Sequence, residues 1–133
     1  MTRIGLLILI FATVLRASPA EASKTRVFEF EGKPITLQWH TDHEGWLSTE
    51  CCSKKGCEAL RILSVLRQTR ISLGEPDLAG GKNPGSVLCS KLSATVVFGQ
   101  AQDGGGRMSF CKAGDGSLVP SSVLDRAWNG GSR

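Results

Sequence analysis

Apolar residues recur at every second position in the segment that follows the first two dozen residues. In "RVFEFEGKPITLQWH", Phe28 and Phe30 share one face of a first extended run. Ile35, Leu37 and Trp39 share one face of a second run, and polar residues point the other way. The four residues between the runs have turn chemistry. This pattern predicts a β-hairpin with one buried face.

The period changes after the next cluster of cysteines, in "CEALRILSVLRQTR". Apolar residues now recur at helical spacing, and Glu58 in the first turn and Arg67 and Arg70 in the last turn suit the helix dipole. The residues on the apolar side are Ala59, Leu60, Ile62, Leu63 and Leu66. The pattern predicts an amphipathic α-helix that packs on the hairpin, because its apolar face suits a protein core better than a bilayer.

The C-terminal part repeats this alternation of helix and strand. Asn83 followed by Pro84 favours the start of a short helix that carries Cys89. "SATVVFGQ" and "GRMSFC" flank a glycine-rich turn and predict a second hairpin. A last helical stripe comprises Val123, Leu124, Ala127 and Trp128. The predicted fold is therefore a small disulfide-stapled α+β domain with two β-hairpins and two or three short helices.

The N-terminus has the form of a secretory signal peptide. A basic start precedes an apolar run from Ile4 to Leu15, and a small-residue exit ends at Ala22. We predict that residues 1–22 are removed, because the run is shorter than the roughly 20 residues of a membrane span. The remaining chain is expected to be periplasmic or secreted, without stable membrane insertion.

A stretch rich in glycine and proline divides the rest of the chain. The predicted organisation is an N-terminal hairpin-plus-helix region, a linker, a C-terminal domain and a flexible tail. Their bounds are 23–75, 76–85, 86–128 and 129–133. Each half is small for an independent core, so the sequence predicts either one shared core or two disulfide-stapled lobes.

The charge balance excludes one class of partner. The chain has 16 Lys and Arg against 12 Asp and Glu, a net charge of +4, spread thinly along the sequence. A nucleic-acid binder normally carries a dense basic stripe with interleaved aromatic residues. We therefore expect no nucleic acid, but an unidentified protein or cell-envelope partner.

The segment 82–128 contains the motifs "NPGSVLCSKLSATVVF", then "SFC", then "GDGSLVPSSVLDRAW". With these motifs it resembles a small bacterial haemolysin-like domain family of unknown function. The matching positions are Asn83, Pro84, Ser86, Val87, Cys89, Cys111, Asp115, Gly116 and Ser117. Leu92-Ser93-Ala94 stands where relatives commonly have glycines. The resemblance implies an exported bacterial domain with a Cys89–Cys111 disulfide, and it carries no lytic mechanism.

Three further cysteines lie within "STECCSKKGC". Adjacent cysteines rarely bridge each other, so either Cys51 or Cys52 should pair with Cys57. We predict the pair Cys52–Cys57, which leaves Cys51 as a free thiol, a buried thiol or the link of a disulfide-bonded dimer.

The same cluster supports an alternative function. His40, His43, Cys51, Cys52 and Cys57 are ligand types for zinc or copper, and a thiol beside a histidine could also act in redox or nucleophilic chemistry. The ligand spacing is irregular, however, and the two histidines at a strand end should point to opposite faces. We therefore predict a non-catalytic binding or inhibitor-like module without a cofactor, and a metal-binding or thiol-redox protein as the alternative.

Overall fold

A computed structural model describes residues 24–130 of the chain. The predicted signal peptide and residues 131–133 of the predicted tail lie outside this range. The strands are β1 (Thr25–Phe30), β2 (Lys33–His40), β3 (Gly45–Ser48), β4 (Thr95–Ala101), β5 (Arg107–Lys112) and β6 (Leu118–Pro120). The α-helices are α1 (Glu58–Gln68), α2 (Glu75–Leu78), α3 (Pro84–Lys91) and α4 (Ser121–Gly130). Short 3₁₀ turns occupy Thr41–His43 and Thr49–Cys52.

All six strands form one antiparallel sheet in the order β3-β2-β1-β4-β5-β6. The sheet curls until its two edge strands, β3 and β6, lie side by side. The backbone N–H of Leu118 donates to Ser48 Oγ across this seam at 2.7 Å. The predicted α+β class and both predicted hairpins are confirmed, and the curl gives the sheet an inner and an outer face.

The inner face holds an aromatic cluster. Phe28 and Phe110 are fully buried, and their ring centroids lie 5.2 Å apart in an edge-to-face arrangement. Phe30 packs on Phe110 in the same way at 5.1 Å. A Cβ at Gly99 would lie 2.6 Å from the Phe30 ring, so only glycine fits beneath it. Ile35, predicted on this buried face, is 37% exposed.

The outer face carries the helices. Leu47 of β3 and Cys111 of β5 are buried there together with apolar residues of α1, α3 and α4. The buried helical residues are Ala59, Leu63, Leu66, Leu88, Cys89, Val123, Leu124 and Ala127. Both halves of the chain therefore contribute to a shared core, which is the first of the two predicted organisations.

The predicted boundaries at 76–85 and 129–133 need correction. Most of α2 and the first two residues of α3 lie inside the predicted linker, and β1 joins β4 across it. Asn129 and Gly130 belong to α4 rather than to a tail. The composition of segment 76–85 indicated a linker. The segment instead contains part of helix α2, and the residues before and after it belong to the same hydrophobic core.

Helix α3 ends in a Schellman motif. The N–H of Ala94 donates to the Cys89 carbonyl, and the N–H of Ser93 donates to the Ser90 carbonyl, both at 3.1 Å. Ser93 itself is left-handed, with φ of 60°. Glycine is the usual residue here because an L side chain is strained in this conformation.

Replacing Ser93 with glycine is expected to raise the free energy of unfolding by up to about 1 kcal/mol, because it relieves this strain. Ser90→Gly is the matched control. Ser90 is the penultimate residue of the same helix and has helical backbone, so glycine relieves no strain there and should instead destabilise by about 0.5 kcal/mol. Urea unfolding of both variants measures the difference, and a loss of stability in S93G would contradict the assignment.

Candidate functional site

The structure pairs four of the five cysteines. Cys89 of α3 and Cys111 of β5 form one disulfide, with Cα atoms 5.6 Å apart, which confirms the pairing that the family resemblance implied. Cys51 and Cys57 form the other, with Cα atoms 4.7 Å apart. Cys52 carries the free thiol. Two disulfides in so small a domain indicate an oxidising compartment.

The predicted Cys52–Cys57 pair and the predicted free thiol of Cys51 are therefore wrong. The segment Thr49–Cys52 is a 3₁₀ turn, so neighbouring side chains point about 120° apart. Cys51 is only 2% exposed and packs in the core. Cys57 is the N-cap residue of α1 and packs against the same cluster. Cys52 is directed elsewhere and is half-buried.

The Cys52 thiol lacks the environment of a nucleophile. Burial raises its pKa above the ordinary value, which favours the unreactive thiol over the thiolate. Cys57, at the helix N-terminus that would lower a thiol pKa, is already in a disulfide. The N-terminus of α1, which would lower the pKa of a thiol, therefore carries a disulfide and no free thiol.

The two histidines lie together rather than on opposite faces. His40 ends β2 and His43 lies in the 3₁₀ turn that follows, and their ring centroids are 4.8 Å apart. The sequence argument for opposite faces was wrong because the strand stops at His40 and the chain turns. His40 Nδ1 is buried and has no hydrogen-bond partner among residues 24–130.

The candidate ligands of the metal-binding alternative are not assembled as a set. Cys51 and Cys57 bind each other, so their sulfurs are not available as thiolates. In the part of the chain that the structure describes, no group of three or more His, Cys, Asp or Glu side chains is placed to hold a metal ion.

A cleft beside His43 collects polar groups that are distant in sequence. It has a volume of about 490 Å³ and lies between the Thr41–His43 turn, the end of α1 and the second half of α4. Arg67 Nη2 donates to His43 Nδ1 at 2.8 Å. Arg126 Nη2 donates to the carbonyl oxygens of His43 at 3.0 Å and Glu44 at 2.8 Å. We call this the arginine cleft.

The contact with Arg67 fixes the state of the imidazole. An arginine side chain only donates hydrogen bonds, so His43 Nδ1 must accept and the ring proton of the neutral form lies on Nε2. Burial, then the charge of Arg67 and the neighbouring His40, hold the pKa of His43 below its ordinary value, while Asp42 acts weakly in the opposite direction. The neutral imidazole therefore acts as a hydrogen-bonding group that anchors Arg67.

Three of the residues that carry the family resemblance act as helix caps in the fold. Asn83 Oδ1 accepts from the N–H of Gly85 at 2.8 Å and so caps α3. Asp115 Oδ2 accepts from the N–H of Glu58 at 2.9 Å, and Glu58 Oε2 accepts from the N–H of Asp115 at 3.0 Å. Ser117 Oγ accepts from the next amide of α1 at 3.0 Å. The Asp-Gly-Ser turn therefore caps a helix 57 residues earlier in the chain.

Replacing Asp115 with alanine is expected to lower the free energy of unfolding by about 1 kcal/mol near neutral pH, because α1 loses its cap. Hydrogen bonds from Ser117 and from the backbone at Glu58 hold the pKa of Asp115 below its ordinary value. Its contribution is therefore present above the unfolded pKa of about 3.9 and is lost as the pH falls through the lower folded pKa.

Urea unfolding of wild type and D115A at about pH 7 and about pH 3 tests this expectation. The stability difference should shrink at the lower pH. Asp125→Ala is the control and should have a small effect, because within residues 24–130 Asp125 accepts only from the Asn129 side chain in its own helix. Equal losses in D115A and D125A would contradict the capping account.

The arginine cleft had no local signal in the sequence. The sequence placed Arg67 at the end of a helix, where it suits the helix dipole. It did not predict that Arg67 lies beside His43, 24 residues earlier, or beside Arg126. Only the crossing of α1 and α4 at the Thr41–His43 turn brings the three together.

Comparisons of the chain with protein-family models, curated proteins and solved structures find no match. Within residues 24–130, no helix is long and apolar enough to cross a membrane.

Proposed function

We propose that this chain is an exported bacterial envelope protein, periplasmic or secreted, that acts as a non-catalytic binding or inhibitor-like module. The proposal rests on what the cysteines and polar side chains do in the structure. Disulfides and helix caps stabilise the shared core, and an open cleft with two arginines lies on the surface. The apolar leader and the haemolysin-like segment 82–128 support export from a bacterial cell.

The candidate acid–base and thiol groups support binding rather than turnover. His43 Nδ1 receives the Arg67 N–H, so this nitrogen cannot take a proton without losing that contact. The half-buried Cys52 has a raised pKa, which disfavours attack by its sulfur. His43 and Cys52 are therefore better suited to a rigid binding surface than to catalysis.

The proposal is tested with protein purified from the periplasm of an expression host and mixed with isolated bacterial envelopes. We expect saturable retention at about 0.15 M salt, where weak long-range attraction is screened. Wall fragments and envelope proteins should keep their masses after prolonged incubation. The control is the reduced and alkylated protein, which should be retained less because its two disulfides are broken. Release of new fragments, or retention that never saturates, would overturn the proposal.

The alternative of a metal-binding or thiol-redox protein keeps one supporting observation, the adjacent rings of His40 and His43 with the unpartnered Nδ1 of His40. Elemental analysis of native protein decides between the two. One equivalent of zinc or copper that His40→Gln removes would favour the alternative, whereas metal-free protein that binds envelopes supports the module.

A disulfide-linked dimer through the odd cysteine is the alternative to a free Cys52 thiol. Non-reducing electrophoresis of wild type and Cys52→Ser separates the cases. A dimer band that Cys52→Ser abolishes assigns the link to this residue.

A further inference from the structure

Building on the binding function above, we propose that the arginine cleft is the recognition site and that it binds a carboxylate group of the partner. The cleft brings together the side chains of Arg67 from α1, Arg126 from α4 and His43 from the turn between β2 and β3. Helices α1 and α4 pack in the shared core, and Arg126 holds the turn through the His43 and Glu44 carbonyls, so the cleft is formed before a ligand arrives.

The two guanidinium groups retain donors for a ligand. Arg67 uses Nη2 on His43, and Arg126 uses Nη2 on two backbone carbonyls. A guanidinium carries five N–H donors in a planar fork, so each side chain keeps several. Among residues 24–130 neither arginine forms a salt bridge. The remaining donors are suited to the two oxygens of a planar oxyanion.

The charges around the cleft favour a single negative charge. Asp42 and Glu44 also line it, and they offset the positive field of the two arginines. Because these opposite charges nearly cancel, the cleft attracts a dianion little more than a monoanion, and the larger desolvation cost of a phosphate dianion disfavours its binding. Val123 and Ala127 also line the cleft, but both are almost wholly buried, so the two arginines supply the recognition.

The site is tested by amide NMR of the whole chain, purified after export, during titration with sodium acetate or inorganic phosphate at constant ionic strength. Acetate should cause saturable shifts at the amides of His43, Glu44 and Arg126. In Arg67→Gln the acetate Kd should rise about tenfold, because a charged donor is lost. Arg61→Gln is the matched control: Arg61 lies on the same helix, its side chain is 74% exposed, and its loss should leave the Kd unchanged.

Arg67→Lys carries the test if Arg67→Gln does not fold, because lysine keeps the charge and loses the planar fork, and it should weaken acetate binding several-fold. Shifts without saturation, tighter binding of phosphate than of acetate, or equal acetate affinity in the Arg67 and Arg61 variants would overturn the proposal.

The envelope retention test and the acetate titration have independent outcomes. Saturable envelope retention without an acetate site overturns the cleft as recognition site and leaves the binding function standing. An acetate site without envelope retention supports the cleft and contradicts the envelope partner.

Discussion

Replacing Phe110 with alanine is expected to lower the free energy of unfolding by about 3–5 kcal/mol, the largest loss from any single substitution considered for this fold. Phe110 is fully buried at the centre of the inner face, and its ring packs edge-to-face on both Phe28 and Phe30. The alanine leaves a cavity that the curled sheet cannot close, because its two edges already meet at the seam.

Phe98→Ala is the matched control for Phe110→Ala. Phe98 lies on the outer face of β4, is 52% exposed and sits under the Arg107 guanidinium at 4.5 Å. Its loss should cost less than about 1 kcal/mol. Urea unfolding followed by circular dichroism compares the two variants, and equal losses of stability would show that the inner face is not a packed interior.

Removing the Cys89–Cys111 disulfide is expected to lower the free energy of unfolding by about 3 kcal/mol or more. Both residues are fully buried between α3 and β5, and the bond closes a loop with a sequence separation of 22. The double variant C89A/C111A should therefore unfold at a lower urea concentration than wild type, because its unfolded chain is less constrained.

The double variant C51A/C57A provides the comparison. Its loop has a sequence separation of only 6, so its loss should cost about 2 kcal/mol. Both variants are measured without reductant. A larger loss in C51A/C57A than in C89A/C111A would contradict the assignment of Cys89–Cys111 as the main staple of the shared core.

Elements with a clear local period were predictable. The first hairpin, α1, α3, the second hairpin and α4 all follow from alternation or helical spacing between turn and cap residues. The strands β3 and β6 were missed because they are short, with four and three residues, and "GWLS" and "LVP" show no alternation long enough to identify. Their place comes from the closing of the sheet, which is a long-range property.

The choice of disulfide partners also depended on tertiary structure that the sequence pattern did not reveal. The sequence restricted Cys57 to one of two adjacent partners, but the choice depends on which of them faces the core. The 3₁₀ turn at Thr49–Cys52 makes that choice, and its geometry had no signal in "STECC". The arginine cleft and the cap at Asp115 depend on tertiary contacts in the same way.

Peptide mapping under non-reducing conditions determines whether the cysteines of this chain form structural disulfides or a reactive thiol site. The sample is protein from the periplasm, alkylated before digestion and fragmented between Cys51 and Cys52. We predict an N-terminus at Ser23, the disulfides Cys51–Cys57 and Cys89–Cys111, and alkylation of Cys52 alone. Alkylation at Cys51, Cys52 and Cys57 together, or a Cys52–Cys57 link, would contradict it.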